Sequence, residues 1–191
     1  MMSPVKRSRV IPALALTAAL TLAGCSGVGS HLGVAVYGDE FSVNELQEAT
    51  TQLNQVAANL PEPVPGFVES GPQQVVADLA LPPLLDQIFA GSPAEATDAQ
   101  LRQFLGSAGV PEPGEATLQA ARSRQYQGNL SNPAIFQDPA MADVLARAQS
   151  VTEADLAAVE VEVNPRYGSW DVANGGVVPG VPEWIQSTDD S

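Results

Sequence analysis

The chain is poor in the residues from which catalytic and metal sites are made. Its 191 residues include one cysteine, Cys25, and one histidine, His31. A lone cysteine forms no intramolecular disulfide. Without a second histidine or thiol there is no Ser-His or Cys-His nucleophile pair and no conventional zinc site. No glycine-rich phosphate loop follows a strand, and the carboxylates lack EF-hand spacing. The composition therefore implies no cofactor and no ATP, and points away from an enzyme. Basic residues are also scarce, eight against 22 acidic ones. So acidic a chain repels phosphate backbones, which argues against nucleic acid as a partner.

What the chain does have begins at its N-terminus. Lys6, Arg7 and Arg9 precede an apolar run from Val10 to Leu20, which is of signal-peptide length and short for a bilayer span. Leu22-Ala23-Gly24-Cys25 follows and has the pattern of a lipobox, with small residues for a signal peptidase and a thiol to take lipid. The competing reading makes Cys25 a small buried hydrophobe. Residues 1–24 are expected to be a lipoprotein signal and residues 25–32 a flexible tether, rich in small residues from Ser26 to Ser30. Cleavage before Cys25 leaves 167 residues with five basic and all 22 acidic side chains, a formal charge of −17. That length suffices for one domain with its own core. Two or more acyl chains on Cys25 would hold it durably at the extracytoplasmic face of a cell membrane. His31, six residues from Cys25, is expected to be a solvated spacer residue rather than a general base.

Periodicity places the elements. Val34 to Tyr37 reads as a short strand closed by Gly38. Asp39-Glu40 is expected in a turn leading to a helix, where the two carboxylates favour the helix N-terminus electrostatically; the alternative makes them an acid–base pair. Ser42 with Glu45 has the spacing of a capping box, and apolar positions from Val43 to Leu60 recur at three and four. Pro61 to Gly66 is a loop. A helical segment from Gln73 to Phe89 contains Pro82-Pro83 and should kink or break there. Thr97 and Gln100 cap a short helix, another covers Glu115 to Asn129, and Asp138-Pro139 should open a fifth running through Ala148. Val159, Val161 and Val163 then alternate with polar residues as a strand. The domain is expected to be mainly α, closed by a small two-stranded sheet that pairs its N- and C-terminal strands. Residues 172–191 are expected to form an acidic tail punctuated by glycine and proline, docked at most through Trp184 and Ile185.

Asn164-Pro165-Arg166-Tyr167-Gly168-Ser169-Trp170-Asp171 gathers a scarce basic residue and two aromatics into one turn. In one reading Tyr167 and Trp170 pack over the helices while Arg166 pairs with a local carboxylate. In the other, all three belong to a peptide-binding surface.

Two stretches, Val34-Ala35-Val36-Tyr37-Gly38-Asp39-Glu40-Phe41-Ser42 with Val43-Asn44-Glu45-Leu46, and Val161 to Asp171, together resemble the N-terminal domain of SurA-type periplasmic chaperones. The resemblance spans residues 33–171. It implies a helical module with paired first and last strands and an apolar groove for unfolded or exported polypeptide. Larger relatives insert a parvulin isomerase domain between the helices and the closing strand, and the region between the fourth helix and Val159 is too short for one, so prolyl isomerase activity is not implied. The expected function is a membrane-anchored chaperone or assembly factor. The alternative is a lipid-tethered adaptor for one specific envelope protein. Candidate peptide contacts are Leu53, Leu60, Phe67, Leu84, Phe89, Phe104, Tyr126, Phe136, Tyr167 and Trp170, most of which would serve equally well in a core.

Overall fold

The computed structural model describes residues 32–36, 39–173 and 175–179, without the side chain of Phe136. The expected signal segment, Cys25 and His31 lie outside the described residues, as do Tyr37, Trp184 and Ile185. Among the described residues no helix is long and apolar enough to cross a membrane.

The domain is mainly helical with small antiparallel sheets. Strand β1 (Leu32–Val36) pairs with β2 (Asp39–Ser42), which runs directly into α1 (Val43–Asn59). Two proline-initiated helices follow, α2 (Pro72–Ala80) and α3 (Pro82–Phe89), then α4 (Asp98–Ser107) and α5 (Glu115–Leu130). After two 3₁₀ turns come α6 (Ala142–Ser150), α7 (Glu153–Ala157), β3 (Val161–Val163), β4 (Ser169–Asp171) and β5 (Gly176–Val178).

The distant strands pair as expected: Val34 faces Val163 and Val36 faces Val161 in an antiparallel ladder. The sheet nevertheless has three strands, in the order β2-β1-β3. Asp39 and Glu40 are exposed on β2 instead of standing in a turn at a helix N-terminus. With Phe41 the only apolar residue in that strand, alternation gave little sign of it, but burying Phe41 in the core draws the segment against β1. Val159 lies before β3 and is buried in the core. Past Asp171, where a tail was expected, β5 pairs with β4.

Local chemistry sets the helix ends. At the start of α1 the Glu45 carboxylate accepts from the Ser42 backbone N–H at 2.8 Å and from its hydroxyl at 2.7 Å. The Ser42 hydroxyl oxygen in turn accepts from the Glu45 N–H at 3.2 Å. Thr97 with Gln100 forms the same box at α4, and Thr152 with Asp155 forms one at α7, which periodicity had not suggested. Pro82 takes the first position of α3, where its missing donor is harmless, so the expected kink is a break at Leu81. Asp138 caps a 3₁₀ turn, Pro139–Met141, and α6 begins only at Ala142. Arg147 on α6 donates to the carbonyls of Gln87, Ile88 and Ala90 at 3.1, 2.9 and 2.9 Å, covering the open C-terminal end of α3.

Helix α5 is the axis of the domain and packs against α1, α2, α3 and α4. Its buried positions include Ala116, Ala120, Ala121, Ser123 and Gly128, whose small side chains let the neighbouring helices approach closely. Because it is enclosed on several sides, it lacks the single apolar stripe of a surface helix.

The capping box makes α1 sensitive to pH. Hydrogen bonds from Ser42 hold the Glu45 carboxyl below its ordinary value. Its contribution is therefore present above the unfolded value and lost as pH falls through the folded one. Ser42→Ala is expected to destabilise the domain by about 1 kcal/mol at neutral pH. Below about pH 4 the gap to the unsubstituted protein should narrow. Urea unfolding at several pH values measures this, and a gap that widens in acid would contradict the assignment.

Candidate functional site

Three segments that are remote in sequence meet around the C-terminal half of α5. The first is the loop after α1, where Val64 and Phe67 form a bridge and the Phe67 N–H donates to the Val64 carbonyl at 2.9 Å. The turn between them needs glycine. Gly66 has φ +88°, and a Cβ there would lie 2.2 Å from the Arg124 carbonyl oxygen. From the opposite side, a Cβ on Gly128 would lie 2.4 Å from the Pro65 carbonyl oxygen. The proline loop thus rests directly on the backbone of α5.

The second segment, Pro93 to Glu95, links α3 to α4. Its position is fixed by the Gly91 N–H, which donates to Glu95 Oε2 at 2.7 Å, and by the Ala96 N–H, which donates to the Tyr126 hydroxyl at 3.2 Å. The third comprises Gln100 and Phe104, one turn apart on α4.

Together with α5 these segments enclose a cleft of about 430 Å³. That is within the range of about 300–1,000 Å³ usual for ligand sites. Its floor is apolar: Phe67 and Phe104 meet edge to face with ring centroids 4.9 Å apart and planes at 61°. Its rim carries amides, Gln100 from α4 and Gln125, Asn129 and Asn132 from the end of α5 and just beyond it. Gln125 and Asn129 can both donate to and accept from a polypeptide backbone, whereas Gln100 and Asn132 already accept through their side-chain oxygens, from Thr97 and from the Ala134 N–H, and present chiefly their NH₂ groups. Glu95 supplies the one charged group in the lining.

Two buried features hold the cleft in shape. Beneath it, Phe89 and Tyr126 stack with centroids 4.2 Å apart and planes within 7°. Burial raises the Tyr126 phenol above its ordinary value, so it stays neutral and accepts the Ala96 N–H. Behind the proline loop, Arg124 and Asp78 form an ion pair, 3% and 1% exposed, with Nε donating to Asp78 Oδ2 at 2.6 Å. The same guanidinium donates to the Val68 carbonyl at 3.2 Å and to the Ser70 hydroxyl. Gln74 and Gln127 donate to the other Asp78 oxygen at 3.0 and 3.4 Å. Burial outweighs these partners and raises the Asp78 carboxyl above its ordinary value.

The candidate contact residues divide on this geometry. Phe67 and Phe104 come together in the lining of the cleft, where Phe67 is 5% exposed and belongs to the core while half-buried Phe104 offers most of the aromatic surface. Leu53, Phe89 and Tyr126 are enclosed in the core, where an aromatic or leucine side chain contributes most to stability. Tyr167 is buried as well, and Leu60, Leu84 and Trp170 pack half-buried against the core. Phe136 and Cys25 cannot be placed, since its side chain and that residue lie outside the described part. Arg166 lies with its guanidinium carbon 5.4 Å from the Tyr167 ring centroid, a cation–π contact. In the same turn Asn164 donates to the Leu32 carbonyl at 2.7 Å, which ties it to the start of β1. Among the described residues no group of three or more acidic, histidine or cysteine side chains is placed to hold a metal ion.

The amide rim was not anticipated. Gln125, Asn129 and Asn132 recur at four and three, a polar stripe that helical spacing makes visible once it is sought. No family model, curated protein or solved structure matches the chain.

Proposed function

We propose that this protein is a lipid-anchored, extracytoplasmic polypeptide-binding factor, a chaperone or assembly factor built on a SurA-like N-terminal domain without an isomerase module. The cleft carries the proposal: an aromatic floor suits an apolar side chain of a bound chain, and the amide rim suits its backbone. This is how small sites combine apolar burial with a few orienting polar groups. The SurA-like part of the reading is supported by the pairing of β1 with β3 and by the turn after Asn164 that leads from β3 into β4. The lipobox at Cys25 supports the membrane anchor, and no catalytic step is proposed.

The cleft's limited size favours a second reading, an adaptor that holds one short segment of a single envelope partner. Photo-crosslinking in cells from Gln125 and Asn132, followed by mass spectrometry, separates the two. A chaperone should capture many unrelated exported proteins in an unfolded state. One stoichiometric partner would make the protein an adaptor. If crosslinks from the cleft match those from an exposed position outside it, such as Gln47 on α1, the cleft does not bind polypeptide.

A further inference from the structure

Beyond residue 9 the chain has no lysine and five arginines, at 102, 122, 124, 147 and 166. All five lie among the described residues, together with 19 of the 22 acidic side chains, three being beyond residue 179. Four of these arginines are engaged within the fold. Arg124 is buried on Asp78, and Arg122 pairs with Asp98 and lies 3.8 Å from Asp86. Arg147 covers the end of α3, and Arg166 lies over Tyr167. Arg102 is exposed on α4 but does not line the cleft. Carboxylates neutralise Arg122 and Arg124, and the remaining three arginines are far outnumbered, so the field outside the domain is set by carboxylates.

The cleft shares that sign. Glu95 lies on its rim and no arginine lines it. Its remaining polar groups are neutral amides, which accommodate a backbone but offer no full charge to an anion. A low-dielectric cleft inside an acidic surface concentrates cations and repels anions.

We infer that the occupant of this cleft is a cationic polypeptide segment, with an apolar side chain seated against Phe104, whose ring Phe67 backs edge to face, and flanking lysines or arginines facing Glu95 and the acidic surface. The inference rests on the polypeptide-binding reading and names its substrate class. Apolar contact gives the site its hold, while charge selects the partner and speeds encounter.

The test is fluorescence anisotropy with the full chain in nonionic detergent and four labelled peptides of equal length. One carries a central phenylalanine among lysines and serines. In the second serine replaces each lysine, in the third glutamate does, and in the fourth serine replaces the phenylalanine of the first. The lysine peptide should bind about tenfold more tightly than the all-serine-flanked one and the glutamate peptide most weakly. That preference should fade as salt rises towards about 0.5 M. Glu95→Gln keeps an acceptor for the Gly91 N–H and should weaken the lysine peptide about fivefold. Phe104→Ala, and loss of the peptide's phenylalanine, should each weaken it as well. Equal binding of the lysine- and serine-flanked peptides, dependent on Phe104, would overturn the charge inference and leave polypeptide binding standing. Lysine-peptide binding indifferent to Phe104→Ala, Glu95→Gln and the missing phenylalanine would be diffuse attraction to an acidic surface, and would overturn the cleft as its site. Failure of all four peptides to bind would overturn the polypeptide-binding reading itself.

Discussion

Arg124→Leu is expected to destabilise the domain at neutral pH by about 3–5 kcal/mol, because it strands a carboxylate that is almost fully enclosed. Asp78 would keep only the amides of Gln74 and Gln127 as donors, and the Val68 carbonyl and Ser70 hydroxyl would lose theirs. Arg124→Lys should recover little, since an ammonium cannot span the separate positions that the guanidinium reaches. The pH dependence has a definite sign. Burial already raises the Asp78 carboxyl, so the folded protein binds this proton more readily than the unfolded chain. Such a group favours the folded state most in acid, and that contribution is lost as pH rises through the folded value. Removing the guanidinium raises the carboxyl further. The variant's deficit should therefore shrink as pH falls from 7 to about 4, when the stranded group takes up a proton. Asp78→Leu with Arg124→Leu should be more stable than either single variant, because it leaves no unpaired charge and the loop groups are near enough to solvent to find water. Urea unfolding at two pH values measures all of these. A deficit under about 1 kcal/mol that does not vary with pH would show that the pair is not what closes the loop onto α5.

Interactions between near neighbours were legible in the chain and those between distant segments largely were not. The capping boxes at Ser42 and Thr97 fit the Ser/Thr-x-x-Glu/Gln pattern, so residue type and spacing sufficed, whereas Thr152 closes its box with the shorter Asp155 and opens a helix of only five residues, which left it without a signal. The pairing of β1 with β3 is distant, yet both strands announce themselves through valines, and a domain with so few strand candidates leaves them little else to pair with. Strand β2 has no such signal, because its sequence Asp-Glu-Phe-Ser has one apolar residue and is held by its partner rather than by its own propensity. The Asp78–Arg124 pair joins residues 46 apart on α2 and α5, and nothing local to either residue distinguishes it from an exposed charge. The cleft depends on two backbone approaches, at Gly66 and Gly128, each opposite a carbonyl from a remote segment. Phe67 and Phe104 could be nominated as contacts because they are large and apolar. Their neighbours Phe89 and Tyr126 have the same composition, and only the packing separates a cleft floor from the layer beneath it.

That separation gives the second large effect. Phe89→Ala removes a fully enclosed ring that stacks on Tyr126, and is expected to destabilise the domain by about 3–5 kcal/mol. The loss should reach further than the cavity, since Tyr126 holds the Ala96 N–H and with it the segment carrying Glu95. Phe104→Ala removes a half-buried ring at the cleft and should cost about 1–2 kcal/mol. Polypeptide capture should respond in the opposite order. With both variants held under conditions where they are folded, Phe104→Ala should abolish most of the capture from the cleft, whereas Phe89→Ala should reduce it only as far as the segment around Ala96 loosens. Denaturant midpoints measured beside crosslinking yields decide this. If Phe89→Ala abolished capture while its midpoint stayed near that of the unsubstituted protein, the Phe89–Tyr126 layer would have to open to the ligand, and the floor formed by Phe67 and Phe104 would be a lid over a deeper site.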